Sequence, residues 1–321
     1  MQVLLTGSSG FVGSHLKQAL MELDVKLTVL NRCLTDTQCV DAIYVPTFDG
    51  NTLFQLDKFQ FDVVIHCAAI NHDVEEEKLD LLRQVNVEGT LNLATQAAKA
   101  GIKRFIFIST AKVNGETTEN REAFCETDKP NPQGSYAKSK YDAEEGLKVI
   151  SAQTGMEYVI VRPPLVYGPR GRGNFSSILN CVYKRVPLPF YSLDGNRRSF
   201  ISVGNLVSFI SLCANHPQAG NQVFLVSDDD DVSTKRLFDV IASCFKVYSL
   251  NYPVPKRVIL SISRILKKEH VVTRVTDSLQ VNISKAKKRL GWLPPGSFES
   301  GVQHTVDDFI LKRVANKIKK F

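Results

Sequence analysis

The chain lacks what several protein classes require. Nowhere does it reach the roughly 20 consecutive apolar residues that a membrane span needs, so no transmembrane helix is expected. Met1 leads straight into an apolar run, QVLLT, which leaves no room for a cleavable secretory signal. The seven cysteines (33, 39, 67, 125, 181, 213 and 244) are odd in number, scattered and never spaced C-x-x-C. That argues against a disulfide framework and a zinc site, and for reduced thiols in a cytoplasmic setting. There is no internal repeat and no low-complexity tract. A surplus of acid is also absent: 40 basic against 33 acidic residues leave a net charge of +7.

The basic surplus gathers in PKRVILSISRILKKEH (255–270) and LKRVANKIKK (311–320). Apolar residues recur there at three- and four-residue spacing, which predicts surface helices packed by their apolar side; attachment to an anionic membrane surface is the alternative. No aromatic–basic interleaving accompanies them, so nucleic-acid binding is not expected.

With 321 residues the chain can bury a large core and is long for one simple domain. Apolar strand candidates stand at 2–6, 26–31, 61–69, 103–110 and 157–163, with helical spacing at 11–22, 85–100 and 136–150. Strands alternating with helices predict an α/β fold with a doubly wound parallel sheet, because parallel neighbours need crossovers. After RPPLVYGPRGRGN (162–174) the alternation becomes irregular. The segments 198–210 and 221–227 read as a return to the sheet. The last hundred residues read as mainly helical, from STKRLFDVIA (233–242) onward, where Ser233 or Thr234 is a candidate cap. The acidic run Asp228–Asp231 reads as a solvated loop. Trp292 reads as a core anchor.

In TGSSGFVGSHL (6–16), Gly7, Gly10 and Gly13 recur at three-residue intervals in the first strand-to-helix turn. In such a unit the first glycine permits the turn, the second admits a pyrophosphate, and the third lets helix and strand pack closely. The anion then sits at the helix N-terminus. This makes residues 1–165, rejoined by 198–227, a dinucleotide-binding (Rossmann) domain, with 166–197 and 228–321 as a smaller, mostly helical substrate domain. At the end of the second strand, where NAD enzymes hold an acid for the ribose, the chain has Asn31 and Arg32. A neutral amide beside an arginine would accept a 2′-phosphate, so NADP(H) is favoured over NAD(H).

SYAKSK (135–140) places Tyr136 and Lys140 one turn apart on one helical face. A phenol is a poor acid–base catalyst at neutral pH, and an adjacent ammonium favours the phenolate. Thr110 or Ser109, at the carboxyl end of the fourth predicted strand, is positioned to hydrogen-bond a substrate oxygen. Strand alternation points the two oppositely, so only one can serve.

TGSSGFVG, HCAA, NVEGT, STAKVNGE, YAKSK, RPPLVYGP, RRSFISVGNL and ISKAKKRLGW follow one another much as in extended short-chain dehydrogenases/reductases. Over nearly its whole length the chain resembles the NAD-dependent epimerase/dehydratase family. It is most similar to UDP-hexose 4-epimerases and UDP-4-keto-6-deoxy-N-acetylhexosamine 4-reductases. The resemblance implies that Thr110, rather than Ser109, acts with Tyr136 as the base/acid and Lys140 as the ribose anchor. It implies cofactor contacts from Phe11, Val12, Asp49, Ala68, Ala69 and Pro163, and a structural role for Asn86. Asn174 and Arg198 match positions that bind the substrate's UDP pyrophosphate, with Arg197 the alternative to Arg198. Lys112 contacts sugar or phosphate, or is a solvated loop charge. His66 and His72 lack further ligands at metal spacing and read as satisfied polar residues beside the cofactor. A homodimer through the helices at 85–100 and 136–150 is also implied.

The reaction expected is reduction of a UDP-4-keto-6-deoxy-hexosamine for surface polysaccharide synthesis, favoured by Asn31–Arg32. The alternatives are a UDP-glucose/UDP-N-acetylglucosamine 4-epimerase and, further off, a non-catalytic NAD(P)-sensing protein. A dehydratase is disfavoured, because Ala111–Lys112 stand where that chemistry needs an acid pair.

Overall fold

In a computed structural model, every residue is described except 33–39, 73, 172, 249–251, 266–268 and 319–321. Cys33, Cys39 and parts of both basic stretches therefore lie outside the described residues. The other five cysteines are free thiols.

The strands richest in branched and aromatic residues take the middle of the sheet. β1 (Gln2–Thr6) is buried after its first residue. The segments that follow are α1 (Phe11–Met21), β2 (Lys26–Asn31), β3 (Asp41–Tyr44) and β4 (Val63–His66). Next come α2 (Leu79–Arg83), a π-helical turn (Gln84–Gly89), α3 (Thr90–Lys99) and β5 (Arg104–Ile108). No residue of β4 or β5 is exposed. α4 (Gly134–Thr154), β6 (Glu157–Arg162) and, much later, β9 (Gln222–Leu225) complete a seven-stranded sheet ordered β3-β2-β1-β4-β5-β6-β9. All its neighbours are parallel. Strands buried on both faces need helices on both. Val3 and Leu5 face a layer that includes Leu16 and Leu20 of α1; Leu4 faces Leu93, Ala97, Ala143 and Leu147 of α3 and α4.

β3 escaped the sequence reading. It is a four-residue edge strand with no fully buried residue, so it carries no hydrophobic signature. Thr110 therefore follows the fifth strand, not the fourth.

The segment 198–210 also departs from expectation. β7 (Leu165–Tyr167) pairs with β8 (Phe200–Ser202) in a separate two-stranded sheet. The chain regains the large sheet through α6 (Val203–Asn215), whose Leu206, Phe209 and Ile210 share the core of Val3 and Leu5, and then through β9. Between β7 and β8 lies α5 (Asn174–Tyr183). After β9 come α7 (Thr234–Cys244), α8 (Lys256–Ile265), α9 (Glu269–Thr276), α10 (Ser284–Leu290) and α11 (Phe298–Ile318). Ser233 is the cap of α7, its hydroxyl accepting the Arg236 N–H at 3.0 Å. An aromatic core of Tyr167, Phe175, Phe200, Phe238 and Phe298 fills this second lobe. Trp292 is buried edge-on to Phe209, 5.0 Å between ring centres.

Two surface expectations fail. Asp228–Asp231 is a loop, but of its four carboxylates only Asp229 is exposed. Asp228 is 6% exposed and accepts from Tyr167 Oη (2.7 Å), Ser202 N (2.9 Å) and Asn205 Nδ2 (2.6 Å). Asp229, Asp230 and Asp231 bind Lys287, Arg236 and Gln280. In 311–320, Leu311 and Val314 are exposed rather than packed.

Candidate active site

The glycine turn is built for close approach. Gly7 has φ +70°, and a Cβ there would stand 2.6 Å from Ala68 N. A Cβ on Gly13 would stand 2.1 Å from the Gly7 carbonyl oxygen. The first glycine thus lets the turn lie against the exit of β4, and the third lets α1 sit on the turn. Gly10 is the N-cap of α1 and supplies no side-chain cap. The first-turn N–H groups of Phe11, Val12 and Gly13 form the donor set that a pyrophosphate takes at a helix N-terminus. The fit to a dinucleotide is good.

Asn31 lies beside this turn: its Oδ1 accepts from the buried Ser8 Oγ at 2.7 Å. Arg32 is exposed. Ala69 is half-buried next to Ala68, whose N–H donates to Thr6 Oγ1 (3.3 Å). The Phe11 ring packs edge-on to His15, and a Cβ on Gly171 would come within 3.4 Å of it. Asp49 spends Oδ1 on its own turn, accepting from Asn51 N (2.9 Å) and Thr52 Oγ1 (3.2 Å).

His66 is fully buried between two threonines. Thr90 Oγ1 donates to the Asn86 carbonyl at 2.8 Å, so it accepts from His66 Nε2 at 2.9 Å. This assigns the proton to Nε2 and leaves Nδ1 to accept from Thr6 Oγ1 at 2.6 Å. Burial, reinforced by the Lys140 charge, holds His66 well below the usual histidine range, and so neutral. His72 is exposed. Asn86, in the π-helical turn, accepts from Ile70 N (2.8 Å) and donates to Ile70 O (2.9 Å) and Ser139 Oγ (3.0 Å). It pins the loop after β4 to the helix that carries Tyr136 and Lys140.

Where β5 ends, the two hydroxyl candidates separate. Ser109 Oγ is turned inward and donates to Glu144 Oε1. Thr110, 8% exposed, caps a short 3-10 turn, its Oγ1 accepting the Lys112 N–H at 3.3 Å. Lys140, 3% exposed, donates to the Ile108 carbonyl at 2.8 Å and lies 4.4 Å from the centre of the Phe107 ring. Burial pulls its pKa down to about 8, with Cys67 and Glu144 opposing. Tyr136, one turn earlier on the same face of α4, is half-buried. Pro163 is buried, its carbonyl accepting from Ala111 N at 2.8 Å, which ties the ends of β5 and β6 together behind Thr110.

On the second lobe, Asn174 opens α5. Arg198 donates from Nη1 to the Asp277 carbonyl at 2.6 Å. Burial draws it below the usual arginine range, opposed by Asp277 and Glu116. Arg197 is exposed and committed to the carbonyls of Asp194 (2.7 Å) and Asn196 (2.9 Å). Lys112 pairs with Glu116 at 2.9 Å, each side chain about one-third exposed. Sequence reasoning missed Ser8, Glu116 and Glu144. Of these, Glu144 had a signal, since it stands four residues after Lys140 on the face already marked by the tyrosine–lysine pair.

Among the described residues no helix is long and apolar enough to cross a membrane. No group of three or more His, Cys, Asp or Glu among them could hold a metal ion.

Comparison with known proteins extends these observations. Residues 3–227 match the model of the NAD dependent epimerase/dehydratase family. The UDP-glucose 4-epimerase of Vibrio cholerae is 41% identical over 314 residues, covering 96% of this chain and 95% of its own. The UDP-glucose 4-epimerase of Thermotoga maritima, solved with UDP-glucose, superposes with a TM-score of 0.76 at 22% identity, over 98% and 100% of the two chains. The UDP-glucuronic acid 4-epimerase of Bacillus cereus, solved with NAD, gives 0.77 at 21% identity, over 97% and 99%. These two share the fold. With its glycine turn, its tyrosine–lysine helix and a family match across more than half its length, the chain belongs to the NAD dependent epimerase/dehydratase family.

Proposed function

We propose that this protein is a UDP-hexose 4-epimerase that uses tightly held NAD. The observation that carries the reading is the 41% identity, over 96% of the chain, to the Vibrio cholerae UDP-glucose 4-epimerase. It outweighs the 4-ketoreductase expectation, which rested on Asn31–Arg32. The part-buried Ser8–Asn31 hydrogen bond supports a role for Asn31 in shaping the turn, and Arg32 stands exposed beside it. A preference for NADP(H) has no other support.

Bound NAD would supply the hydride acceptor and donor for C4, held by the first turn of α1, the Gly7–Gly13 turn, Asn31, Ala68, Ala69 and Lys140. Tyr136 takes the proton of the C4 hydroxyl and later returns it to the C4 oxygen of the turned keto-sugar. Lys140 holds positive charge beside that phenol and favours the phenolate. Thr110 Oγ1 orients the C4 oxygen in both directions. Arg198 and Asn174 receive the diphosphate, and Lys112, balanced by Glu116, faces the sugar. Acid–base help of this type is worth roughly 10²–10⁴-fold.

The test is incubation with UDP-glucose or UDP-N-acetylglucosamine, without added reductant, followed by proton NMR of the C4 epimers. Mass spectrometry of the copurifying nucleotide identifies the cofactor. Formation of the C4 epimer with copurified NAD supports the reading. NADPH consumption with a UDP-4-keto-6-deoxy sugar, and no epimer from either UDP-hexose, overturns it in favour of the reductase.

A further inference from the structure

Beneath the candidate site lies a charged cluster that the proposed chemistry does not use. Glu144 is 0% exposed and Arg162, the last residue of β6, is 2% exposed. Arg162 donates from Nε to both carboxylate oxygens of Glu144 (3.0 and 3.2 Å) and from Nη2 to Oε2 (2.5 Å). Its Nη1 donates to Asn114 Oδ1 at 2.9 Å. Ser109 Oγ supplies a further donor to Glu144 Oε1. Asn114 in turn donates to the Cys125 carbonyl at 2.9 Å. Three pieces of chain meet at this one carboxylate, α4, the end of β5 and the end of β6, and Arg162 ties in a fourth, the turn after β5, through Asn114.

Packing alone does not call for such a cluster. Desolvating two charges is expensive, and well-packed apolar residues of similar volume generally hold a helix on a sheet as firmly or more so. What the charges add is direction. A bidentate guanidinium–carboxylate pair fixes distance and rotation together. Here each tethered residue adjoins a candidate site residue: Ser109 precedes Thr110, Arg162 precedes Pro163, and Glu144 follows Lys140 by one turn and Tyr136 by two.

We propose that Glu144 and Arg162, with Ser109 and Asn114, are positioning residues that set the rotation and height of the tyrosine–lysine helix against Thr110. The inference rests on the reading of Thr110, Tyr136 and Lys140 given above. The same carboxylate bears on the charge of Lys140. The titratable groups facing that ammonium are Cys67 and His66 from the end of β4 and Glu144 from α4, with Arg162 behind the last. Removing the Glu144 charge takes away one of the influences that oppose the burial of the Lys140 ammonium.

The experiment compares wild type with Glu144→Gln, with Ser109→Ala, and with the charge-neutral double variant Glu144→Met/Arg162→Met. Two readouts are taken on each folded protein. One is kcat and KM for the UDP-hexose. The other is competitive acetylation of Lys140 across pH, read by peptide mass spectrometry, which needs no turnover. In Glu144→Gln, kcat should fall at least tenfold with KM changed less than threefold, and the Lys140 labelling midpoint should move down by about one pH unit. Ser109→Ala, which leaves no buried charge unpaired, should lose kcat by a smaller factor. The double variant should fold and still lose at least tenfold in kcat. If it keeps wild-type kcat and the wild-type labelling midpoint, the cluster is structural and the proposal is overturned. Should wild type turn over no UDP-hexose, the functional reading fails; an unmoved labelling midpoint in Glu144→Gln then overturns the positioning claim, and a shifted one upholds the hold on Lys140.

Discussion

Lys140→Met should abolish turnover and yet make the protein more stable at neutral pH. Lys140 is 3% exposed, and burial lowers its ammonium from 10.5 to about 8 even with Glu144 opposing. A fall of that size corresponds to about 3 kcal/mol held against the charged form at neutral pH. Methionine fills a similar volume without charge, but it forfeits the 2.8 Å bond to the Ile108 carbonyl. That loss costs about 1 kcal/mol, so the variant should gain about 2 kcal/mol at pH 7. The sign changes with pH. Between about 8 and 10.5 the unfolded chain keeps the lysine proton that the native protein has released, so wild type gains stability with rising pH while the variant does not. By about pH 10 wild type should have recovered nearly all of the difference, and above 10.5, where native and unfolded chains both hold a neutral amine, it should be the more stable by roughly the hydrogen bond that this amine still donates. Urea unfolding of cofactor-stripped wild type and variant, at intervals from about pH 7 to 10, measures the difference. A variant less stable than wild type at pH 7, or a gap that stays constant with pH, would refute the claim that this lysine carries a buried charge.

Two further outcomes are expected. Tyr136→Phe should lower kcat by roughly 10²–10⁴-fold while nucleotide binding, followed by calorimetry, stays within a few-fold of wild type; undiminished turnover would remove the phenol from the chemistry. Gly13→Ala forces a methyl to 2.1 Å from the Gly7 carbonyl oxygen, so α1 must shift off the turn. It should weaken cofactor affinity by at least tenfold, and copurification of a full complement of nucleotide would contradict the close-packing role assigned to that glycine.

What the sequence discloses here is whatever the backbone encodes locally. Gly7 and Gly13 are legible because each answers a steric demand that a Cβ would violate, Gly13 against its own turn and Gly7 against the exit of the neighbouring β4. Tyr136 and Lys140 are legible because four-residue spacing on a helix is geometry, not fold. Long, doubly buried strands such as β4 and β5 announce themselves by composition. β3 does not, since an edge strand of four partly exposed residues looks like any loop. The choice between Ser109 and Thr110 lies beyond local reasoning, because alternation says only that the two point apart. Glu144, 35 residues away in sequence, takes up the Ser109 hydroxyl, which favours Thr110 in the proposed chemistry.

The same limit explains the misreading of Asp228–Asp231. Four consecutive carboxylates look like a solvated loop until their partners are in place, and those partners range from Tyr167 to Lys287. Charge on its own, read from sequence, therefore says little about exposure in this chain. The buried pair Glu144–Arg162 lies beneath the residues proposed for catalysis, while Arg32 at the ribose end of the cofactor turn is exposed. An arginine seen in sequence carried the expectation of NADP(H). At that strand end Asn31 is held by Ser8 while Arg32 is exposed, so the presence of the arginine alone does not establish a preference for a 2′-phosphate.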